Sequence, residues 1–459
     1  MLYYVIMFLP LIPVVCMIAT GRILLRRLAV LALCVTLLSP FLTRIIYWLT
    51  PTPATEFITF KAIGDILTIW LFTLILLSLL RQEKWSGLII LDALDWLVII
   101  YIIWGLLFVF HPNQSIVQGI WGFKENTLPI MWYFLARLLV RNSFHLRRLL
   151  WGLGIFLILN NLYAIFQKLY GLALPFDFYY FSTYLKSFIA KHGERVYISG
   201  FLTGVEGLYV VAIISILCFG LRKELPFFKG VRWLLWSSLI ALFMLHPERT
   251  AVVMTAIGIT VTLFVSSIKK PLYATALLVA IVLATTLLIM SRSVVASQLT
   301  SLGGQHAYFA WLFTPESDIS LQMRLNENWK LAWELLRKYP MGIGMGNLTI
   351  SYATRFGTEW IGPHNYFLQV ALGYSLPGLM LFILVILGLV KRDLSLALWS
   401  RDPFLKASGA TKVGITLAML VASLVVLPFT GISGSCYWLV IGLRYTDRAK
   451  IHSTLNNLS

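Results

Sequence analysis

Arg324-Leu-Asn-Glu-Asn-Trp-Lys-Leu-Ala-Trp-Glu-Leu-Leu-Arg-Lys338 is a basic stretch that lies between two hydrophobic spans. Apolar side chains recur along it at helical spacing, at Leu325, Trp329, Ala332 and Leu336. This pattern predicts a helix with one apolar face and one charged face. Most of the remaining chain is hydrophobic, so we expect this helix and the loop after it to organise the polar part of the protein.

A glycine-rich loop and a histidine follow the helix. Pro340 is expected to end the helix, and the glycines at positions 342, 344 and 346 permit positive φ. Pro363-His364-Asn365 then precedes a long apolar helix. A histidine at the mouth of a membrane span is the first candidate in this sequence for a residue that does chemistry.

Composition indicates a polytopic membrane protein. Of the 459 residues, 59% are hydrophobic and only 12% are charged. The formal net charge of +18 does not indicate nucleic-acid binding, because the basic residues fall in short clusters between apolar runs, as topology signals do. The four cysteines lie singly inside apolar runs and lack the spacing of a metal site or a disulfide framework.

The hydrophobic runs predict an all-α protein with about 12 to 13 transmembrane helices. They cover residues 2–20, 28–49, 57–80, 88–110, 127–140, 149–170, 205–221, 231–245, 250–268, 272–290, 366–390 and 411–427, and a short last piece at 432–443 crosses or re-enters the membrane.

The basic connections between the runs give the orientation. If they face the cytoplasm, residues 171–204 form a smaller outer loop and residues 291–365 a large outer loop that carries the catalytic candidates. The N-terminus then faces outward. Without an internal repeat or a linker, residues 1–459 are expected to form a single membrane domain.

Ionisable groups inside membrane spans need a partner, a wet cavity or a position at the end of the span. Lys61 and Asp65 are placed to pair on one helical face. Asp92 and Asp95 lie near the cytoplasmic start of their span, where snorkelling or a neighbouring base satisfies them. Arg249 begins a span on the outer side, where topology needs no positive charge. It either binds lipid headgroups or serves as a phosphate ligand at the membrane boundary.

The outer-face groups suit one kind of reaction. They are Arg195, Arg249, Arg324 and His364, with Arg355 and Lys330 as further candidates. A lipid diphosphate sugar gathers negative charge on its leaving group, which arginines bind, and a neutral histidine accepts the proton of an attacking hydroxyl. For His364 alone a structural role is the simpler interpretation, whereas the whole set favours catalysis.

Other chemistries fit less well. The Gly-x-Gly-x-Gly loop follows a helix rather than a strand, which disfavours a dinucleotide site. In the outer loops only Glu316 and Asp318 suit a divalent metal. The sequence has no Gly-x-Ser-x-Gly, Walker or His-Glu-x-x-His motif to indicate a hydrolase or an ATPase.

Three patches resemble the O-antigen ligase and polymerase superfamily, bacterial polytopic glycan transferases that include exopolysaccharide polymerases. The first patch is Glu248-Arg249-Thr-Ala-Val-Val at the start of a span. The second is the Arg324 helix with Pro340-Met-Gly342-Ile-Gly344-Met-Gly346. The third runs from His364-Asn365-Tyr-Phe-Leu368-Gln through Leu376-Pro-Gly378. Their order around one large outer loop makes the resemblance specific.

The resemblance implies a GT-C-like fold and a metal-independent inverting transfer without cofactors. It implies an undecaprenyl-diphosphate-linked oligosaccharide as donor and an active site on the periplasmic face of the bacterial cytoplasmic membrane. His364 would be the base, and Arg249 and Arg324 would contact the diphosphate. Arg195, Arg355 and Asn365 are further candidate substrate contacts.

The sequence departs from the family in two places. Members often carry an acid and a glycine before the last glycine of the third patch, where this chain has Leu372-Gly373-Tyr374-Ser375. Ligases typically have both ends inside, whereas the charge pattern here predicts an outward N-terminus.

The expected function is thus membrane glycosyl transfer, with the acceptor open. In a polymerase, which works with a chain-length regulator, the acceptor is another lipid-linked repeat. In a ligase of lipopolysaccharide biosynthesis the acceptor is a lipid A core sugar. A protein hydroxyl is the third alternative. Two outer loops and a basic chain slightly favour a polymerase. The alternative class, a flippase for lipid-linked sugars, predicts charges spread through the central bundle.

Overall fold

The computed structural model describes residues 27–38, 55–80, 91–140, 143–170, 198–199, 202–223, 233–240, 249–301, 314, 319–349 and 362–444. Within these ranges the regular structure is helical, except for a hairpin of two-residue strands, β1 (Ile198–Ser199) and β2 (Leu202–Thr203). Five of the described helices are long and apolar enough to cross a membrane. The prediction of an all-α polytopic membrane protein is confirmed.

The helices follow the predicted runs closely. They are α1 (Arg27–Leu38), α2 (Thr55–Leu80), α3 (Ala93–Leu107), α4 (Ile116–Asn126), α5 (Trp132–Leu139), α6 (Ser143–Tyr170), α7 (Gly204–Gly220), α8 (233–240), α9 (Arg249–Ser267), α10 (Pro271–Ser301), α11 (Ile319–Met323), α12 (Trp329–Lys338), α13 (Tyr366–Trp399), α14 (Pro403–Ala422) and α15 (Gly431–Gly442). A π-helical turn, Arg324–Asn328, joins α11 to α12. The first predicted span, residues 2–20, lies outside the described residues.

The amphipathic helix forms as predicted. α12 ends at Lys338, just before Pro340, and it buries Ala332 and Leu336. The apolar face is narrower than the sequence pattern indicated, because Leu325 is 39% exposed. The departure begins in the π-helical turn, which rotates the first residues of the stretch relative to α12.

Helix α13 is sharply bent at Ser375, which has φ 68° and ψ 171°, and Pro377 follows. In a straight helix Tyr366 and Phe382 would lie about 24 Å apart along the axis. Their ring centroids are only 5.3 Å apart, so the short arm of α13 folds back along the long arm. His364, two residues before Tyr366, therefore lies near the level of Phe382 on the long arm of α13.

Two carbonyl groups beside this bend receive hydrogen bonds from other elements. Leu372 O accepts a hydrogen bond from the Ile343 N–H (2.7 Å), and Tyr374 O accepts one from Trp104 Nε1 (2.9 Å). Backbone polar groups inside a membrane protein need such partners. The bend is thus a built element, fixed by the glycine loop and by α3.

The acidic residues within spans have partners from other helices. Asp95 is fully buried and accepts hydrogen bonds from Tyr133 (2.8 Å), Arg137 and Arg444 (3.0 Å). The sequence assigned Arg392 to a cytoplasmic connection, but it lies within α13 and pairs with the buried Asp393. Lys412 of α14 donates a hydrogen bond to Leu443 O. The expected neighbouring bases for Asp95 are confirmed, and this network joins α3, α5, α13, α14 and the end of α15.

Asp65 also has a partner from another helix. It forms an ion pair with Lys124 of α4 at 2.8 Å, which spacing along α2 alone could not indicate. The side chain of Lys61, the partner expected from the sequence, lies outside the described residues.

Candidate functional site

The turns that follow α14 hold the main elements of the site. Their carbonyl groups accept three hydrogen bonds, at Ser423 from the Tyr366 N–H (2.8 Å), at Leu424 from Asn365 Nδ2 (3.2 Å) and at Val425 from Arg324 Nη1 (2.8 Å). Three successive residues of one segment therefore fix both the predicted arginine and the residue beside the predicted histidine. We call Ser423–Thr430 the anchor segment.

His364 occupies an unusual backbone conformation, with φ 49°. The next residue, Asn365, caps α13 by accepting the Leu368 N–H at 3.1 Å, and it is 94% buried since only 6% of its surface is exposed. Burial and, to a smaller extent, the positive charge of Arg324 together lower the pKa of His364 from 6.5 to about 4. The imidazole is therefore neutral at physiological pH and can accept a proton.

Arg324 lies in the π-helical turn Arg324–Asn328 and is half-buried. Turns of this kind insert an extra residue into a helix and recur at functional sites. The hydrogen bond to Val425 O uses a single donor of the planar guanidinium fork. The electrostatic effect of Arg324 on the pKa of His364 reflects that the two side chains lie near each other.

Arg249, the second predicted diphosphate ligand, is the first residue of α9. Helices α9 and α14 pack antiparallel, with Gly414 directly against Gly258. Arg249 precedes Gly258 by nine residues, and Ser423 follows Gly414 by nine. Both therefore lie about 13 Å from this contact, toward the same end. The structure thus brings Arg249 to the level of the anchor segment.

Glu206, an acidic residue that the sequence analysis missed, lies at the same level as Arg249 and the anchor segment. Glu206, on the first turn of α7, accepts the Ile432 N–H at the start of α15 (3.3 Å). Gly220 of α7 packs directly on Thr411 of α14; Glu206 precedes Gly220 by the same fourteen residues by which Val425 follows Thr411. Glu206 carried no signal in the sequence, because it is a single acid at the start of an apolar run. Only its neighbours in space distinguish it.

The glycine loop packs beside this arrangement. Gly342 (φ 83°) and Gly344 (φ 90°) adopt the positive φ that the sequence predicted. The loop packs on α4 and on the turn before it, where Gln114 Oε1 accepts the Gly346 N–H at 2.8 Å. Gly373 of α13 lies against Met345, so a larger side chain has no room there.

The remaining candidates are placed less directly. Lys330 is exposed on α12. Arg195, Arg355, Glu316 and Asp318 lie outside the described residues. Among the residues that are described, no group of three His, Cys, Asp or Glu side chains lies close enough to hold a metal ion.

These features describe a polytopic membrane protein with a cationic, histidine-containing candidate site at one end of the packed helices α9 and α14. Residues 233–383 match the family model described as O-Antigen ligase. The matched segment contains Arg249, Arg324 and His364, and it supports the O-antigen ligase and polymerase superfamily. This match confirms the resemblance to that superfamily of membrane glycan enzymes seen in the sequence. No curated protein matches the chain.

Proposed function

We propose that the protein transfers an oligosaccharide from undecaprenyl diphosphate to a sugar hydroxyl, on the periplasmic side of the bacterial cytoplasmic membrane. The observation that carries the proposal is the anchor segment, because it holds Arg324 and the His364-Asn365 pair on successive residues. A leaving group and an attacking group must be bound side by side for such a transfer.

In the proposed reaction, a neutral His364 removes the proton from the acceptor hydroxyl. The oxygen attacks the anomeric carbon of the donor as the bond to the diphosphate oxygen breaks, which inverts that carbon. Arg249 and Arg324 bind the diphosphate, whose negative charge increases as it leaves. The products are the extended glycan and undecaprenyl diphosphate, and the proton on His364 is lost to water. The three residues that act in this reaction, His364, Arg249 and Arg324, all belong to the chain itself.

The test is glycan transfer by purified protein in lipid nanodiscs, with a lipid-diphosphate-linked repeat as donor. We expect His364→Ala to abolish transfer, and Arg249→Ala and Arg324→Ala to raise the donor KM and lower kcat. Arg337→Ala is the matched control, since it removes an exposed arginine from the neighbouring helix α12. Full activity of His364→Ala would refute the assignment of the base.

The acceptor separates the polymerase from the ligase. Donor alone should give a ladder of lengthening glycans if the protein is a polymerase, as we slightly favour, whereas a ligase transfers only when lipid A core is added. A chain-length regulator would then change the length distribution of the polymerase products.

The flippase alternative predicts charges in the central bundle that await a substrate. The buried acids described here are instead paired, Asp95 with Arg137 and Asp393 with Arg392. These pairs fit a structural role. Donor movement across the bilayer without glycan transfer would favour the flippase.

A further inference from the structure

Glu206 holds the far end of the anchor segment. The segment runs from Ser423 at the end of α14 to Thr430 before α15, and its first residues carry the hydrogen bonds to Arg324 and Asn365. At the other end, the Glu206 carboxylate accepts the Ile432 N–H. Gly431 has φ 54°, and a methyl group in its place would overlap this carboxylate. The backbone of α15 therefore begins in direct contact with Glu206.

Helix packing brings the same carboxylate beside the other site elements. Ile216 of α7 packs directly against Gly258 of α9. Glu206 and Arg249 precede these two residues by ten and nine positions, and both lie at the start of their helices. The two charged residues therefore start neighbouring helices at one level, within about one residue rise of 1.5 Å.

We propose that Glu206 is a positioning residue of the site. It fixes the start of α15 and, through the anchor segment, the carbonyl groups that orient Arg324 and Asn365. The inference rests on the proposed glycan transfer for its activity readout only, since the contact itself is independent of any substrate. A carboxylate that accepts a backbone N–H at a helix start also has a favourable interaction with the helix dipole.

The first measurement is hydrogen–deuterium exchange in the anchor segment, which needs no substrate. Glu206→Ala should speed exchange of the Ile432 N–H and of residues 423–430, whereas Glu206→Gln, which keeps an accepting oxygen, should change it little. Glu334→Gln on the exposed side of α12 is the control for loss of an acid. Unchanged exchange in Glu206→Ala would overturn the proposal.

The second measurement is transfer activity of the same variants, with thermal unfolding to verify that they fold. Displacing site groups by about 1 Å costs on the order of a hundredfold in rate, so Glu206→Ala should lower kcat by about tenfold or more while the donor KM changes little. Glu206→Gln should restore most of it. Equal losses in both variants would assign a charge-based role and overturn the positioning role. If the wild-type protein transfers no glycan, the proposed function fails instead, and the exchange result still decides the role of Glu206.

Discussion

The pH dependence of transfer is the sharpest test of the candidate base. A histidine with its ordinary pKa of 6.5 is only about one quarter neutral at pH 6, whereas one with a pKa near 4 is about 99% neutral there. Burial and Arg324 lower the pKa of His364 to about 4. A lower pKa keeps the base neutral at lower pH, so kcat/KM should stay level from pH 8 to about pH 5 and fall to half near pH 4.

Arg324→Gln removes the second cause of this shift while the burial remains. The half-value of the acid limb should therefore move upward, toward 6.5 without reaching it. Loss of one preorganised donor to the leaving group also costs on the order of a hundredfold in kcat.

The assay is initial transfer rate against pH in nanodiscs, with undecaprenyl-diphosphate-linked donor below its KM. Arg337→Gln changes the same charge on an exposed position of the next helix and should leave the acid limb where it is. A wild-type half-value near 6.5, or an acid limb that Arg324→Gln does not move, would refute the reasoning.

Three further predictions concern the framework of the site. Ser375→Gly should stabilise the protein by about 0.5–2 kcal/mol, because relief of about 1–3 kcal/mol of backbone strain exceeds the entropic cost of glycine. An unchanged unfolding temperature would contradict the strain at Ser375. Gly344→Ala should destabilise the loop by about 1–3 kcal/mol and lower transfer, while Gly152→Ala, in open space on α6, should be neutral or stabilising in the same melt. Asp95→Asn should lower stability by about 3–5 kcal/mol, since the buried Arg137 and the half-buried Arg444 lose their carboxylate. A melt like that of the wild type would show that water satisfies them.

Much of the fold follows from local pattern. Hydrophobic runs of membrane length gave nearly every described helix, and the α12 stretch with its proline and glycines gave the helix end and the loop with positive φ. These signals depend on neighbours along the chain, which the sequence displays directly.

The rest depends on contacts between distant segments. The bend at Ser375 has a proline signal two residues later, but its direction is set by Ile343 and Trp104. The sequence analysis identified Arg324 and His364 as candidates. It predicted the anchor segment that holds them only as the end of one span and the short connection to the next apolar run. Glu206 was missed for the same reason.

The bend in α13 has a consequence for the shape of any substrate. Phe382 follows Ser375 by seven residues, and Tyr366 contacts Phe382, so His364 lies about 10 Å from the bend along α13. Under the proposed transfer, a glycan that passed the bend to reach His364 would arrive by its tip, because the interior of a long polymer is bulkier than its end. Bond formation would then be restricted to chain ends and branching prevented, without any residue that recognises the sugar sequence.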